Sequence, residues 1–346
     1  MTELSVVLIS KNQEWNIARL VESVLKETDR LPAREIVLVD SASTDRTTEI
    51  AARYPIAVLK LCPGQRLTAA AGRYVGTRQT TGDLVLFLDG DMELCEGWLD
   101  QALDVMHSRS DVAVVCGRVI DRPKALHTPT VQHLEASGTD AAGVDVLQGG
   151  GAAMYRRSVL ERVGTFNPHL YSDEEPELCL RVRHAGYRVL QLPRPIAFHH
   201  SAPVDALSTL LGRRSRNLWL GYGQNIRYLS ASPLLWPYLR ERGWAVTPAL
   251  TLCSGVVAFA ASGLTGQWGW LALWGAFVTM LTIAIAIRKR SLKRALFSLF
   301  QRLLVLDGTV RGLLLKPYDP TGYPGKYDVI QPINDEAFDW QARSDG

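Results

Sequence analysis

Two aspartates, Asp89 and Asp91, flank Gly90 directly after the apolar run Leu84-Val85-Leu86-Phe87-Leu88. Paired carboxylates at such a point suit a divalent cation that arrives with phosphates, because hard cations take oxygen ligands. The same lettering also fits a polar turn that merely ends a strand. A second acidic group, Asp173-Glu174-Glu175-Pro176-Glu177, stands ahead of Leu178, Val182 and Ala185, whose spacing predicts a helix with one buried face. Acids in a helix's first turn are favoured by its dipole, so capping alone accounts for this cluster. The pair His199-His200 could ligate a metal, although by itself such a pair is more often a surface or core feature than a ligand.

The elements that must position these groups alternate in type. Residues 5–9 and 35–40 read as strands, the second ending in the carboxylate of Asp40, and residues 56–61 and 84–88 as two more. Between them, Ile17, Leu20, Val21, Val24 and Leu25 keep helical spacing, residues 45–52 follow capping signals, and residues 67–80 form a third helix. Strand–helix alternation of this kind builds a mainly parallel sheet with helices on both faces. Ligands of such sheets gather beyond the carboxyl ends of the strands, where Asp89 and Asp91 fall. Alternate residues of an extended segment point the same way, so both can face one cleft, and Gly90 lets the backbone turn sharply.

Val-Val-Leu-Ile-Ser-Lys-Asn, Val-Leu-Val-Asp-Ser-Ala-Ser-Thr-Asp, Ala71-Gly72-Arg73 and Asp89-Gly90-Asp91 together resemble the N-terminal half of a family 2 glycosyltransferase. The glycine-rich Gly149-Gly150-Gly151, the turn Gly164-Thr165-Phe166-Asn167-Pro168 and the acidic cluster extend the likeness over roughly residues 3–203. The resemblance implies the GT-A nucleotide-sugar-binding fold, an α/β fold with a mainly parallel mixed sheet flanked by helices. It places Ser10, Asn12, Asp40, Arg73 and Asp89 at the nucleotide sugar, and Asp89, Asp91 and His200 at a Mg2+ or Mn2+ ion. It makes Glu175 the general base that accepts the acceptor's proton, with Glu174 as its rival. Transfer would then proceed with inversion. Tyr74 stands where the family commonly has asparagine, and Glu175 where it commonly has aspartate.

Composition narrows the remaining classes. A formal net charge of +3 over 346 residues gives no ground for a nucleic-acid partner. Five scattered cysteines without a CxxC pair suit a reducing compartment and no structural zinc. No apolar leader precedes the first strand, so the chain's beginning is expected in the cytoplasm. Residues 207–228 mix Arg213, Arg214, Arg216 and Arg227 with leucines and aromatics, as interfacial helices do. The QxxRW motif of processive synthases is missing there, which argues against a processive enzyme. Between Arg242 and Arg288 no charged residue occurs, and residues 246–264 and 268–287 are each long enough to span a bilayer. Basic residues on both outer flanks put those flanks in the cytoplasm and the loop at Gly266-Gln267 outside.

The expected organisation is a catalytic domain over 1–205, an interfacial segment over 206–245 and a transmembrane hairpin over 246–287. A basic interfacial helix over 288–316, interrupted at Asp307-Gly308, and a tail over 317–346 follow. The expected activity is transfer of a sugar from a nucleotide sugar to a lipid-linked or glycan acceptor at the cytoplasmic face of the inner (plasma) membrane. Two alternatives stand beside it: transfer onto polyprenyl phosphate itself, and a catalytically silent membrane scaffold that keeps the fold.

Overall fold

The structure is a computed structural model that describes residues 3–123, 143–201 and 207–332. Most of the loop 121–146, expected to shape the pocket, lies outside the described residues. The chain divides into two compact units, Met1–Ala202 with Tyr318–Gly346, and Pro203–Pro317.

The first unit runs β1 (Leu4–Ser10), α1 (Ile17–Thr28), β2 (Arg34–Asp40), α2 (Thr47–Ala51), β3 (Ala57–Leu61), α3 (Ala69–Arg78), β4 (Leu84–Asp89) and β5 (Met92–Leu94). It continues with α4 (Trp98–Ser108), β6 (Val112–Cys116), β7 (Val119–Pro123), β8 (Val144–Asp145), β9 (Ala153–Arg156), α5 (Arg157–Val163) and α6 (Glu174–His184). Then come β10 (Arg188–Gln191), β11 (Ala197–Ser201) and, after the second unit, β12 (Tyr327–Gln331). One sheet has the order β12-β3-β2-β1-β4-β9-β6-β10-β8, and a smaller one the order β5-β11-β7.

Strand β1 is central and buried along its whole length. Its side chains alternate between the two faces. Leu4, Val6 and Leu8 join Leu20 and Val24 of α1, while Val7 and Ile9 join Ala71 and Val75 of α3. Burial on both faces explains the unbroken apolar runs seen in β1 and β4. Helix α3 lies close on β1, since a Cβ on Gly76 would stand 2.2 Å from Val7 Cγ1 and one on Gly72 would stand 3.0 Å from Ile9 Cγ2. Strand β9 runs antiparallel between β4 and β6, with Phe87 opposite Ala153. That register carries the glycines before β9 across from Asp89.

The C-terminal stretch, which has no periodic pattern in sequence, returns to the sheet. Strand β12 pairs antiparallel with β3, Tyr327 opposite Leu61 and Val329 opposite Leu59, and covers an edge that would otherwise be open.

The second unit contains α7 (Leu207–Ser215), α8 (Gly221–Tyr228), α9 (Leu235–Glu241), α10 (Thr247–Thr265), α11 (Gly269–Lys289) and α12 (Leu292–Leu314). Helices α10 and α11 are long and apolar enough to cross a membrane, and their side chains are mostly exposed. They pack as a hairpin in which the Trp274 ring sits against Gly255 and Leu271 N donates to Ser262 Oγ at 3.1 Å. Helix α12 is continuous through Asp307 and Gly308, where the sequence suggested a break. The reason is packing. A Cβ on Gly308 would stand 2.3 Å from Trp219 O, and one on Gly312 would stand 2.2 Å from Leu220 O. These glycines serve close helix approach rather than a turn.

Candidate active site

Strand β4 delivers Asp89 to its end, and the turn after it is tightly specified. Gly90 N donates to Ile9 O at 2.8 Å, and the buried Asn16 donates through Nδ2 to Gly90 O (3.1 Å) and Met92 O (2.8 Å). A side chain at Gly90 would crowd Gln13 Cγ at 2.9 Å and Ser10 Cβ at 3.0 Å, so glycine is required for space.

Asp91 meets β11, although not as the sequence suggested. Asp91 Oδ2 lies 3.3 Å from His199 Nε2, and His199 Nδ1 lies 2.8 Å from Asp121 Oδ1. The hydrogen bond to Asp91, and less strongly that to Asp121, outweigh burial and push His199 up to about 9. His200 faces elsewhere in this structure. Its backbone N–H donates to Asp91 O at 2.8 Å, but its buried ring turns to Glu93 Oε2 at 3.3 Å and stands edge-on to Trp15. Burial lowers its proton affinity. Neighbours on a strand face opposite ways, so only one of the two histidines can face Asp91.

The centre of the arrangement is Arg73, 1% exposed on α3. Its Nη2 lies 2.8 Å from Asp89 Oδ1 and 3.2 Å from Glu175 Oε1, and its Nη1 2.7 Å from Glu174 Oε1. Carboxylates from β4 and from the start of α6 therefore share one guanidinium, with the Phe166 ring 5.5 Å from its Cζ. Burial opposes charge on Arg73, yet Asp89, Glu175 and Glu174 together raise it above its ordinary value. Burial likewise pushes Asp89 up to about 6, with Arg73 opposing and Asp91 and Glu175 adding to the rise. Glu174 is pushed up by burial and by its neighbour Glu175. Of the two glutamates, Glu175 has the more accessible side chain, 16% against 7%. The glycines before β9 leave room here, since a Cβ on Gly151 would stand 2.5 Å from Asp89 Oδ2.

The remaining expected residues cluster beyond β1 and β2. Ser10 Oγ donates to Asp40 Oδ2 at 2.9 Å, and Ser43 donates to the same carboxylate through Oγ and, at 2.7 Å, through N. Asp40 has no exposed surface, so its carboxylate braces the turn instead of facing the cleft. Asn12, at φ 54, receives Thr44 N at 2.9 Å on Oδ1 and ties the two loops together. Ser10, Asn12 and Asp40 are thus brought together, with Ser10 packed beside the Gly90 turn that follows Asp89. Sequence reasoning missed Asn16 and Asp121, and named His199 only as one of a pair. Asn16 reads as a helix cap, but its side chain makes no cap bond and holds the Gly90 turn. Among the described residues no group of three or more His, Cys, Asp or Glu forms a ready metal cage.

The description Glycosyl transferase family 2 matches residues 5–164. The chain is 27% identical over 217 residues to the glycosyltransferase AglE of Haloferax volcanii, covering 59% of this chain and 69% of that one. It is 27% identical over 167 residues to the O-antigen chain rhamnosyltransferase WbaN of Salmonella anatum, covering 45% and 53%. Against the pre-mycofactocin glycosyltransferase of Mycobacterium tuberculosis it is 27% identical over 218 residues, covering 57% and 42%. The match thus spans about half or less of the last two relatives. Among solved structures, the mannosyltransferase PcManGT of Pyrobaculum calidifontis, in complex with GDP-Man and Mn2+, has a similar fold, with a TM-score of 0.56 at 21% identity over 90% of this chain and 87% of that one.

Proposed function

From a chain that carries a Glycosyl transferase family 2 domain in a GT-A-like α/β fold, we propose an inverting transferase that moves a sugar from a nucleotide sugar to an acceptor hydroxyl at a membrane surface. The observation that carries this reading is the buried Arg73, which ties the strand-end carboxylate Asp89 to the helix-start carboxylates Glu174 and Glu175. Donor and acceptor groups would meet across one fixed cation.

A hydroxyl is a poor nucleophile until a positioned carboxylate accepts its proton. Glu175, the more accessible of the pair, takes that role, while Glu174 is buried against Arg73 and fixes the start of α6. Attack opposite the leaving diphosphate inverts the anomeric centre. Arg73 holds Asp89 and Glu175 in fixed relation, so little reorganisation is needed as charge moves. Asp91 and His199, partly exposed and turned toward each other, would hold a divalent cation completed by diphosphate oxygens, the imidazole releasing the proton it shares with Asp91 when the ion binds. When bound, such an ion would stabilise the charge gathering on the departing diphosphate.

Charge distribution supports the membrane setting. Residues 203–317 hold 14 Lys and Arg against 3 Asp and Glu, while the rest of the chain holds 24 against 32. A basic unit around an apolar hairpin suits an anionic bilayer surface, and the positive flanks favour a cytoplasmic catalytic unit. That setting supports a lipid-linked acceptor as the proposed one.

The test is a screen of GDP-, UDP- and dTDP-sugars with the detergent-extracted protein, Mg2+ or Mn2+, and extracted membrane lipid, starting from GDP-mannose. The expected product is a glycolipid whose new linkage has the anomeric configuration opposite to the donor. A retained configuration overturns inversion. Transfer onto polyprenyl phosphate alone would favour the lipid-linked-donor alternative, and no transfer from any donor would favour a silent scaffold.

A further inference from the structure

We propose that the C-terminal segment, through Tyr323, is a positioning strap that sets the start of α6 against α3 and so holds Glu175 in register with Arg73. The Tyr323 ring is 6% exposed and lies in the core of the first unit. It stands edge-on to Tyr74, the neighbour of Arg73 on α3, with centroids 5.8 Å apart. On its other side it stands edge-on to His169, five residues before Glu174, at 5.6 Å. Its hydroxyl donates to Arg66 O at 2.6 Å, just ahead of the α3 cap at Thr68. One aromatic ring thus wedges the segment that carries Arg73 against the loop that delivers Glu174 and Glu175.

The ring is held by contacts close to it, and the rest of the segment is tied separately to the sheet edge. Nearby, His169 Nε2 lies 3.3 Å from Asp319 O, and the Tyr318 ring tilts over His169 at 5.3 Å. Farther along, Cys62 N donates to Lys326 O at 3.0 Å, and Gln331 Nε2 donates to Tyr54 O and Ile56 O, each at 2.7 Å. Edge-on aromatic pairs are stabilising beyond the area they bury, so the two contacts together favour one loop position. Asp173, the last residue of that loop before α6, holds φ 61, a left-handed conformation that aspartate tolerates, so the chain turns sharply just where Glu174 and Glu175 are delivered.

The kinetic consequence rests on the transfer reaction proposed above. A misplacement of about 1 Å between reacting groups costs on the order of 100-fold in rate. Tyr323→Ala is expected to lower kcat about 10- to 100-fold while donor affinity stays within about threefold, because the groups beyond β1 and β2 are untouched. Tyr323→Phe keeps the ring and is expected to restore kcat to within about threefold. Gln331→Ala, which loosens the same segment at the far sheet edge, is the control and should lower the melting temperature while leaving kcat near normal.

A second readout needs no activity. Hydrogen exchange at residues 167–178 should accelerate in Tyr323→Ala and not in Gln331→Ala, with residues 84–91 unchanged in both. If Tyr323→Ala does not fold, Tyr323→Leu and His169→Ala take its place, and their effects on exchange and kcat should be non-additive in the double variant. Normal kcat and normal exchange with Tyr323→Ala or Tyr323→Leu overturn the strap, as does an equal kcat loss with Gln331→Ala. Lack of transfer by the wild type with every donor would instead count against the proposed reaction, leaving exchange to decide the strap.

Discussion

Replacing Arg73 by methionine removes the one cation shared by Asp89, Glu174 and Glu175 while keeping an unbranched side chain of similar length. Arg73 is 1% exposed, so water cannot take its place. Deleting one partner of a buried ion pair costs about 3–5 kcal/mol, because the opposite charge is left uncompensated. The loss must depend on pH, since carboxylates can escape by taking up protons. Burial already holds Asp89 at about 6 and raises Glu174 with Arg73 present, and without that cation both move further up. The unfolded chain keeps them near 4, so above that the folded variant binds more protons than the unfolded one and its stability falls as pH rises. One extra proton over 2.5 pH units corresponds to about 3 kcal/mol, so a loss of about 3–5 kcal/mol at pH 8 should shrink to about 0–2 kcal/mol at pH 5.5. For a unit of this size that is a drop in melting temperature of roughly 6–20 °C at pH 8 and at most a few degrees at pH 5.5, relative to wild type at the same pH. Melting of the detergent-extracted protein at the two pH values measures this directly. An unchanged melting temperature at pH 8, or an equal loss at both values, would refute the reasoning.

The other consequences are simpler to read. His199→Ala should weaken Mn2+ affinity about tenfold or more, whereas His200→Ala should lower stability and leave the Mn2+ titration in place; the reverse pattern would restore His200 to the metal site. Gly76→Ala puts a methyl 2.2 Å from Val7 Cγ1 in a packed core and should cost about 1–3 kcal/mol in denaturant unfolding, with no loss arguing against the close seat of α3 on β1. A membrane-impermeant thiol reagent should label Gln267→Cys from outside intact cells and reach Ser291→Cys only after the membrane is opened, and the opposite labelling would invert the hairpin.

The fold was readable where one residue pattern admits one structure. Apolar runs of this kind mark strands buried on both faces, and β1, β2 and β4 are such strands, the last two ending in carboxylates. The uncharged stretch before Arg288 likewise yields two long apolar helices within two residues of the expected limits. The partition of His199 and His200 was not readable, because a one-residue choice on a strand depends on which face of β11 looks at Asp91, and pairing with β5 and β7 settles that. Asp40 misled for a related reason. Its place at a strand end is correct, but two serine hydroxyls from separate segments enclose it. Asp307-Gly308 looked like a helix break because a glycine that turns the chain and a glycine that admits a neighbouring backbone have the same letter. The edge strand β12 has no alternating burial, being mostly exposed, and so left no period to find.

The account turns on which carboxylate takes the acceptor's proton beside Arg73, and single-turnover transfer with the donor saturating tests that most directly. Glu175→Gln keeps the size and removes the basicity, so transfer should fall on the order of 100-fold or more with donor binding preserved. Glu174→Gln, buried against Arg73 Nη1, should lose stability before it loses rate at matched folded protein. Near-normal transfer by Glu175→Gln, with collapse in Glu174→Gln or in neither, would contradict the assignment.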